Sequence, residues 1–241
     1  MKKQIALVTG ANRGIGFEVV KQLAQANYQV ILTGRDSEKV NKAASELARQ
    51  GLAVEGIAME VTDDSSVKEV AEKVLGKYGH INVIINNAGG NFDYDKSVSQ
   101  MDLNFASETL ELNLLSAWRV SMTFLPLLRK VPGSRIVNVA SGAGSHTDTN
   151  FGLTAMGGAV SAYGVSKCAL NALTCKFATD LKKDGILVNS VCPGFTATYP
   201  GAEAQGARPV KDGAASVVWA ATLPADGPTG GFFRDGKAIG W

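Results

Sequence analysis

Residues 4–16 read QIALVTGANRGIG: an apolar run, then a turn holding Gly10, Gly14 and Gly16, then the opening of a helical pattern. A short apolar run closed by a turn is the sequence form of a strand buried on both faces. Glycine lets the chain turn sharply and lets backbone N–H groups approach an anion, and a helix starting there adds the positive end of its dipole. The order strand, glycine turn, helix therefore predicts a phosphate-binding turn made by Gly10, Asn12, Arg13, Gly14, Ile15 and Gly16. Its spacing, G-x-x-x-G-x-G, departs from G-x-G-x-x-G, so the turn alone does not fix the ligand.

The same alternation continues along the chain. Apolar runs at 29–33, 53–59, 82–86, 134–140 and 186–192 read as strands. Between them lie helical patterns at 14–27, 37–50, 64–79, about 107–130 and 161–183. Unalternated strands separated by helices predict a parallel sheet covered on both faces. Right-handed crossovers make it a doubly wound, Rossmann-type α/β sheet. No linker or repeat divides the chain, so residues 1–241 read as one dinucleotide-binding and catalytic domain.

Composition narrows the function classes. A 45% hydrophobic, 19% charged chain has ample material for a core. The net charge of +2 comes without a basic run and argues against nucleic acid as a partner. Cys168, Cys175 and Cys192 show no metal-ligand spacing, and the two histidines, His80 and His146, lie far apart, so no metal site is expected. The apolar part of MKKQIALVTG is too short for a signal peptide, and no run approaches a membrane span. Reduced, mostly buried thiols and a cytoplasmic location are the expectation.

Ligands of such sheets sit beyond the carboxyl ends of the strands. The second strand ends in LTGRD, with Gly34 where a ribose-binding carboxylate is expected, followed by Arg35. Arg35, with Arg13 in the glycine turn, suits a 2′-phosphate and predicts NADP(H) over NAD(H). Two ordinary surface arginines are the plain alternative, and Asp36 would favour NAD(H) if the register slipped. In SAYGVSKCAL (161–170) Tyr163 and Lys167 are four apart and share a helix face. They could be a structural pair, a phosphate clamp or a proton-transfer couple, and the spacing does not choose between them.

TGANRGIG at the start, NNAG at 86–89 and YGVSK at 163–167 together resemble the short-chain dehydrogenase/reductase family over nearly the whole chain. The resemblance implies that Tyr163 and Lys167 are catalytic, with Ser141 of VNVASGAG and Asn113 of LELNLLSAW completing the set. It places Asn87, Ala88 and Gly89 beside the cofactor, and Pro193, Gly194 and Thr198 of CPGFTAT against the nicotinamide and phosphates. Tyr163 would then give a proton to a carbonyl oxygen while NADPH supplies hydride to the carbon. Lys167 would lower the phenol's pKa and hold the nicotinamide ribose, Ser141 would support the oxyanion, and Asn113 would position a water.

Three departures from the family pattern matter. Glu60 replaces the usual aspartate after the third strand, so the adenine contact could pass to the amide of Val61. The serine-to-tyrosine interval is 22 residues (163 − 141), longer than usual, because the loop is extended. The segment after Pro193-Gly194 is short and implies a modest lid. Loops at about 142–160 and 194–210 are expected to shape the substrate mouth, and these features look most like the carbonyl-reductase-like members. The expected function is reduction of a small aldehyde or ketone by NADPH. The alternatives are a 3-oxoacyl-carrier-protein reductase, weakly encouraged by Arg129-Lys130, and an NADP-sensing protein without turnover. Trp118, Phe124, Leu125, Val165, Leu173 and Phe177 make helices 107–130 and 161–183 apolar on more than one side. Such helices either lie deep in the monomer or pack against another subunit; the family resemblance implies a homodimer or tetramer through them, or a monomer if the extended loop covers that surface.

Overall fold

The computed structural model describes residues 3–94 and 96–241. Residues 1, 2 and 95, part of the expected single domain, lie outside the described residues. The strands are β1 (Ile5–Val8), β2 (Gln29–Gly34), β3 (Val54–Ala58), β4 (Val83–Asn86), β5 (Arg135–Val139), β6 (Leu187–Val191), β7 (Phe232–Arg234) and β8 (Lys237–Ala238). They form one sheet in the order β3-β2-β1-β4-β5-β6-β7-β8. All neighbours pair parallel except β7 and β8.

Alternation within each apolar run builds two cores at once, because successive side chains leave a strand on opposite faces. Ile5, Leu7, Ile31, Ile84, Ile136 and Val188 share one cluster with residues of three helices. These are α3 (Asp64–Tyr78), α5 (Ser116–Leu128) and α6 (Ser161–Asp180). Ala6, Val8, Val30, Leu32, Val83, Ile85 and Val137 face the other way. They pack on α1 (Gly14–Gln25), α2 (Ser37–Ala48) and α7 (Val210–Ala221). Each apolar run thus serves two layers, which is why it shows no polar alternation.

The six predicted strands match β1–β6 within one residue at each end, and the expected doubly wound sheet is present. The C-terminal third departs from the reading. Helix α7 and strands β7 and β8 were not anticipated: α7 is rich in small residues, and FFR and KA are too short to carry a period. The helix expected at about 107–130 begins earlier, as α4 (Leu103–Leu110), and passes into α5 through a π-helical turn, Glu111–Leu115. Phe124, Leu173 and Phe177 are buried in the monomer's own core, whereas Trp118 and Val165 stay exposed. Cys168 and Cys175 are only half-buried, and Cys192 is fully buried. Among the described residues no helix is long and apolar enough to cross a membrane.

A buried polar ladder crosses the sheet beneath the strand ends. Asn86 donates to Asn138 Oδ1 (2.8 Å) and to Ser121 (3.0 Å), and Asn138 donates to Thr174 Oγ1 (2.8 Å). Thr174 meets Ser190 at 2.8 Å. The ladder ties β4, β5 and β6 to α5 and α6 and so fixes the register of the elements that carry the site. Removing one member strands its partners in a low-dielectric interior. Asn138→Ala is expected to lower the unfolding free energy by about 2–4 kcal/mol in urea denaturation; a loss within ~0.5 kcal/mol would show the ladder to be unimportant.

Candidate active site

The chain visits β1, β2 and β3 on one side and then crosses to β4, so the turns after β1 and β4 diverge at the switch point, where α/β sheets bind ligands. The two turns are stitched together. Thr9 Oγ1 accepts from the amides of Asn87 (3.0 Å) and Ala88 (2.9 Å), while Asn87 Nδ2 donates to the carbonyls of Thr9 (2.8 Å) and Gly10 (3.1 Å). Gly10 has a φ of +60°, and a Cβ on it would lie 2.8 Å from Ala88 Cα, so no other residue permits this approach. Gly16 is buried in the first turn of α1, against Asn87 and Ala11. Arg13 stands at the N-cap of α1 with no side-chain cap, and no acidic residue occupies the first turn, so Gly14 and Ile15 begin a helix end open to an anion.

The Pro193–Thr198 loop after β6 faces this turn. Thr198 Cγ2 is 3.6 Å from where a Cβ on Gly14 would stand. Pro193 is buried and Gly194 is left-handed at φ 77°. At the far end, Gly34 leaves room for Asn12, whose Oδ1 lies 3.1 Å from a Cβ position there. Arg35 is exposed, and Asp36 has a different task from the one feared of it. Its carboxylate caps α2 through Lys39 N (3.1 Å) and pairs with Lys39 Nζ (2.8 Å), and these bonds hold its pKa below the usual carboxylate value. A cavity of about 330 Å³ opens here, lined by Asn12, Arg13, Phe17, Lys39, Lys42, Ala43 and Glu46. Lys39 and Lys42 were not singled out from sequence, where they look like ordinary helix-surface charges. Glu60 turns its carboxylate to Thr62 N (3.1 Å) and Oγ1 (2.8 Å), and Val61 is buried beside it with its carbonyl bonded to Arg119 (3.0 Å).

A nicotinamide dinucleotide fits these residues. The close-packed glycine turn, the uncapped helix end and the basic cavity form a continuous line toward Gly89, where an added Cβ would meet Asn113 Oδ1 at 2.9 Å and Lys167 Nζ at 3.3 Å.

At the end of that line the four expected catalytic side chains converge. Asn113 lies in the π-helical turn, a local widening frequent at functional sites. Its amide clamps Gly90 in both directions (2.9 and 3.0 Å) and donates to Ser166 Oγ (3.0 Å). These bonds join the turn after β4 to α6. Ser141 follows β5 in extended conformation, its Oγ accepting from Ala143 N at 3.2 Å, and it lies near enough to the Tyr163 phenol to pull its pKa down. The turn after it packs so closely on α6 that a Cβ on Gly144 would sit 2.5 Å from Cys168 N. Tyr163 and Lys167 are buried on one face of α6.

Burial moves these two pKa values in opposite senses. It pushes the Tyr163 phenol up, the Ser141 hydrogen bond pulling back only in part, and it pushes the Lys167 ammonium down to about 8. Lys167 Nζ donates to the Val139 carbonyl at 2.9 Å and stands 5.6 Å from the Tyr163 ring centroid. Burial is the largest influence on the phenol, and the ammonium is directed to a carbonyl.

Residues unremarked in the sequence complete the surroundings. Phe92 lies on the Tyr163 ring with centroids 4.5 Å apart and stacks on Tyr94 at 5.7 Å. The extended loop and the Pro193–Thr198 loop meet through Phe151 and Phe195 at 6.4 Å. The extended loop is pinned by the chain end, His146 N donating to Trp241 O (2.7 Å) and Ser145 Oγ to Gly240 O (2.8 Å). His146 itself is exposed. Single aromatics in polar loops have no period, so nothing in the sequence marked them.

The fold and the site define a dinucleotide-type oxidoreductase scaffold. Residues 4–207 match the short chain dehydrogenase model. The chain is 32% identical to mouse carbonyl reductase (NADPH) 3 over 277 aligned positions, covering 99% of this chain and 98% of that protein. It is 30% identical to rat carbonyl reductase (NADPH) 1, covering 99% of each. The crystal structure of NADPH-bound carbonyl reductase from chicken fatty liver superposes with a TM-score of 0.85 at 28% identity, covering all of both chains. The chain belongs to the short-chain dehydrogenase family and is similar over its full length to carbonyl-reductase members.

The buried ammonium gives a stability test. With its pKa lowered from 10.5 to about 8, Lys167 costs the folded state about 3 kcal/mol below pH 8. Its bond to Val139 O returns about 1.5–3 kcal/mol. Between pH 8 and 10.5 the unfolded chain holds the extra proton, so the parent's stability rises with pH there. Lys167→Met is expected to be no less stable than the parent at pH 7 and to lose ground from pH 8 to 10.5, as read by urea unfolding. An advantage of the variant that grows with pH would contradict this.

Proposed function

We propose that the protein reduces an aldehyde or ketone to the alcohol with NADPH, with Tyr163 as the proton donor. The observation that carries this reading is the convergence of Asn113, Ser141, Tyr163 and Lys167 beside the line of cofactor-suited residues. The bound nicotinamide supplies a hydride to the carbonyl carbon. Ser141 and Tyr163 bond the carbonyl oxygen, and Tyr163 passes its proton there as the carbon–hydrogen bond forms. Burial keeps the phenol protonated at neutral pH, the state a donor needs. Lys167 holds the nicotinamide ribose and a positive charge nearby. Asn113 fixes the walls through Gly90 and Ser166, and a water positioned beside it would return the proton to Tyr163. NADPH is favoured because Arg13, Lys39 and Lys42 line the cavity beside the glycine turn and Arg35 is exposed directly after β2, while Asp36 is occupied in capping α2. The names of the mouse and rat relatives point the same way.

The substrate is a small carbonyl compound admitted between the loops at 142–160 and 194–210. The carrier-protein alternative is the weaker reading, since Arg129 of the Arg129-Lys130 pair that encouraged it pairs with Asp184 at 2.9 Å just past the end of α5. The three free thiols suit a reducing compartment such as the cytoplasm. Tyr163→Phe is expected to bind NADPH as the parent does and to lose at least about 100-fold in turnover. Oxidation of NADPH and NADH would be followed separately against a panel of aldehydes and ketones. Turnover near parental in the variant, or equal use of NADH by the parent, would overturn the corresponding assignment.

Assembly follows from the faces of α5 and α6 turned from the core. Trp118 (44% exposed), Met122 (58%) and Val165 (53%) lie there, the surface through which two copies would pair. Light scattering on the full chain is expected to return a dimer or tetramer, and a concentration-independent monomer would refute the pairing.

A further inference from the structure

The turn after β4 carries a buried carboxylate that the proposed chemistry leaves unused. Asp93 is 2% exposed. Its Oδ2 accepts from Ala162 N at 2.9 Å and from Ser161 Oγ at 3.1 Å, and its Oδ1 accepts from Tyr163 N at 3.2 Å. Its backbone carbonyl accepts from Val160 N at 3.1 Å. These donors belong to the first turn of α6 and the residue before it. A helix leaves its first N–H groups without internal partners, and a side chain just ahead of the helix commonly satisfies them. Here the preceding residue is Val160, left-handed at φ 57° and without a capping oxygen. Asp93, 70 residues from Tyr163 in sequence, does the capping instead. Its neighbour Phe92 lies on the Tyr163 ring at 4.5 Å. One short loop therefore sets both where α6 begins and how the tyrosine ring is packed.

We infer that Asp93 is a positioning residue for the reduction. It fixes the first turn of α6, and through it the placement of the Tyr163 phenol, without touching substrate. This rests on the proposed function. Proton transfer requires a hydrogen-bond distance, and a misplacement of about 1 Å can cost about 100-fold in rate. Tyr163 is the third residue of α6 and its own amide is one of the groups held, so a shift of the cap acts on it directly.

The test compares Asp93→Ala, Asp93→Asn and Asp93→Glu in the full chain. Asparagine caps helices as well as aspartate does, whereas glutamate keeps the charge but displaces the oxygens. Asp93→Ala is expected to lower kcat about 10- to 100-fold, with the Kd for NADPH changed less than about twofold. Amide hydrogen exchange at 161–164 should quicken by about tenfold or more. Asp93→Asn should recover kcat to within about threefold of the parent. A parental kcat in Asp93→Ala, whatever its Tm, overturns the inference, as does failure of asparagine to rescue. Should the alanine variant not fold, Asp93→Glu decides: a lowered kcat with unchanged NADPH affinity supports the role, and a parental kcat refutes it. If the parent reduces no carbonyl compound, the proposed function falls, and the exchange rates still decide whether Asp93 sets the start of α6.

Discussion

The approach of Gly10 to Ala88 is the contact on which the site depends. It brings the turns after β1 and β4 within 2.8 Å of a would-be Cβ, and Thr9 and Asn87 lock it with four hydrogen bonds. A methyl group there would part the two turns at the switch point. The consequences run outward along the backbone. The residues directly after the locked segment, Gly89 and Gly90, are those that Asn113 and Lys167 approach. The geometry at one end of the crevice therefore constrains the other, through six residues of turn.

Beneath that contact the buried ladder of Asn86, Asn138, Thr174 and Ser190 serves a different purpose from the apolar layers. Apolar side chains fill space without specifying register, whereas each amide in the ladder accepts few geometries. Thr174 lies two turns beyond Lys167 on α6, so the ladder fixes the helix at its middle while Asp93 fixes its start. Tyr163 and Lys167 sit between these two anchors. A helix held at both points can keep a phenol and an ammonium buried that would otherwise be drawn to water.

Much of this was legible because it repeats. Strands β1 to β6 announce themselves as apolar runs between helical patterns, and the glycine turn, Ser141, Tyr163 and Lys167 all fall where the sheet's topology puts a ligand. What escaped lacked a period or a local partner. Strands β7 and β8 are three and two residues long. The π-helical turn around Asn113 packs against α6, a contact no window of sequence contains. Asp93 caps a helix 70 positions away, and Phe92 and Phe151 are single aromatics in polar loops. The surroundings of the Tyr163 phenol were hidden for a related reason. Spacing showed that Lys167 was near, but not how deeply the phenol is buried or that Val139 O would accept the ammonium's hydrogen bond.

That burial bears on the protonation states of the pair. Burial disfavours the charged form of either group, so it holds the phenol neutral and weakens the ammonium. The two effects leave different states at neutral pH. The phenol lies far above pH 7 and keeps its proton, whereas the ammonium, at about 8, remains charged by about ten to one at pH 7. A neutral phenol beside a cation can give up a proton to an oxygen gaining negative charge, but it cannot accept one from an alcohol. Oxidation of an alcohol would need the phenolate, which burial makes the costlier state. The same desolvation that gives α6 its apolar surroundings therefore holds the phenol in the protonated form that the proposed donor role needs.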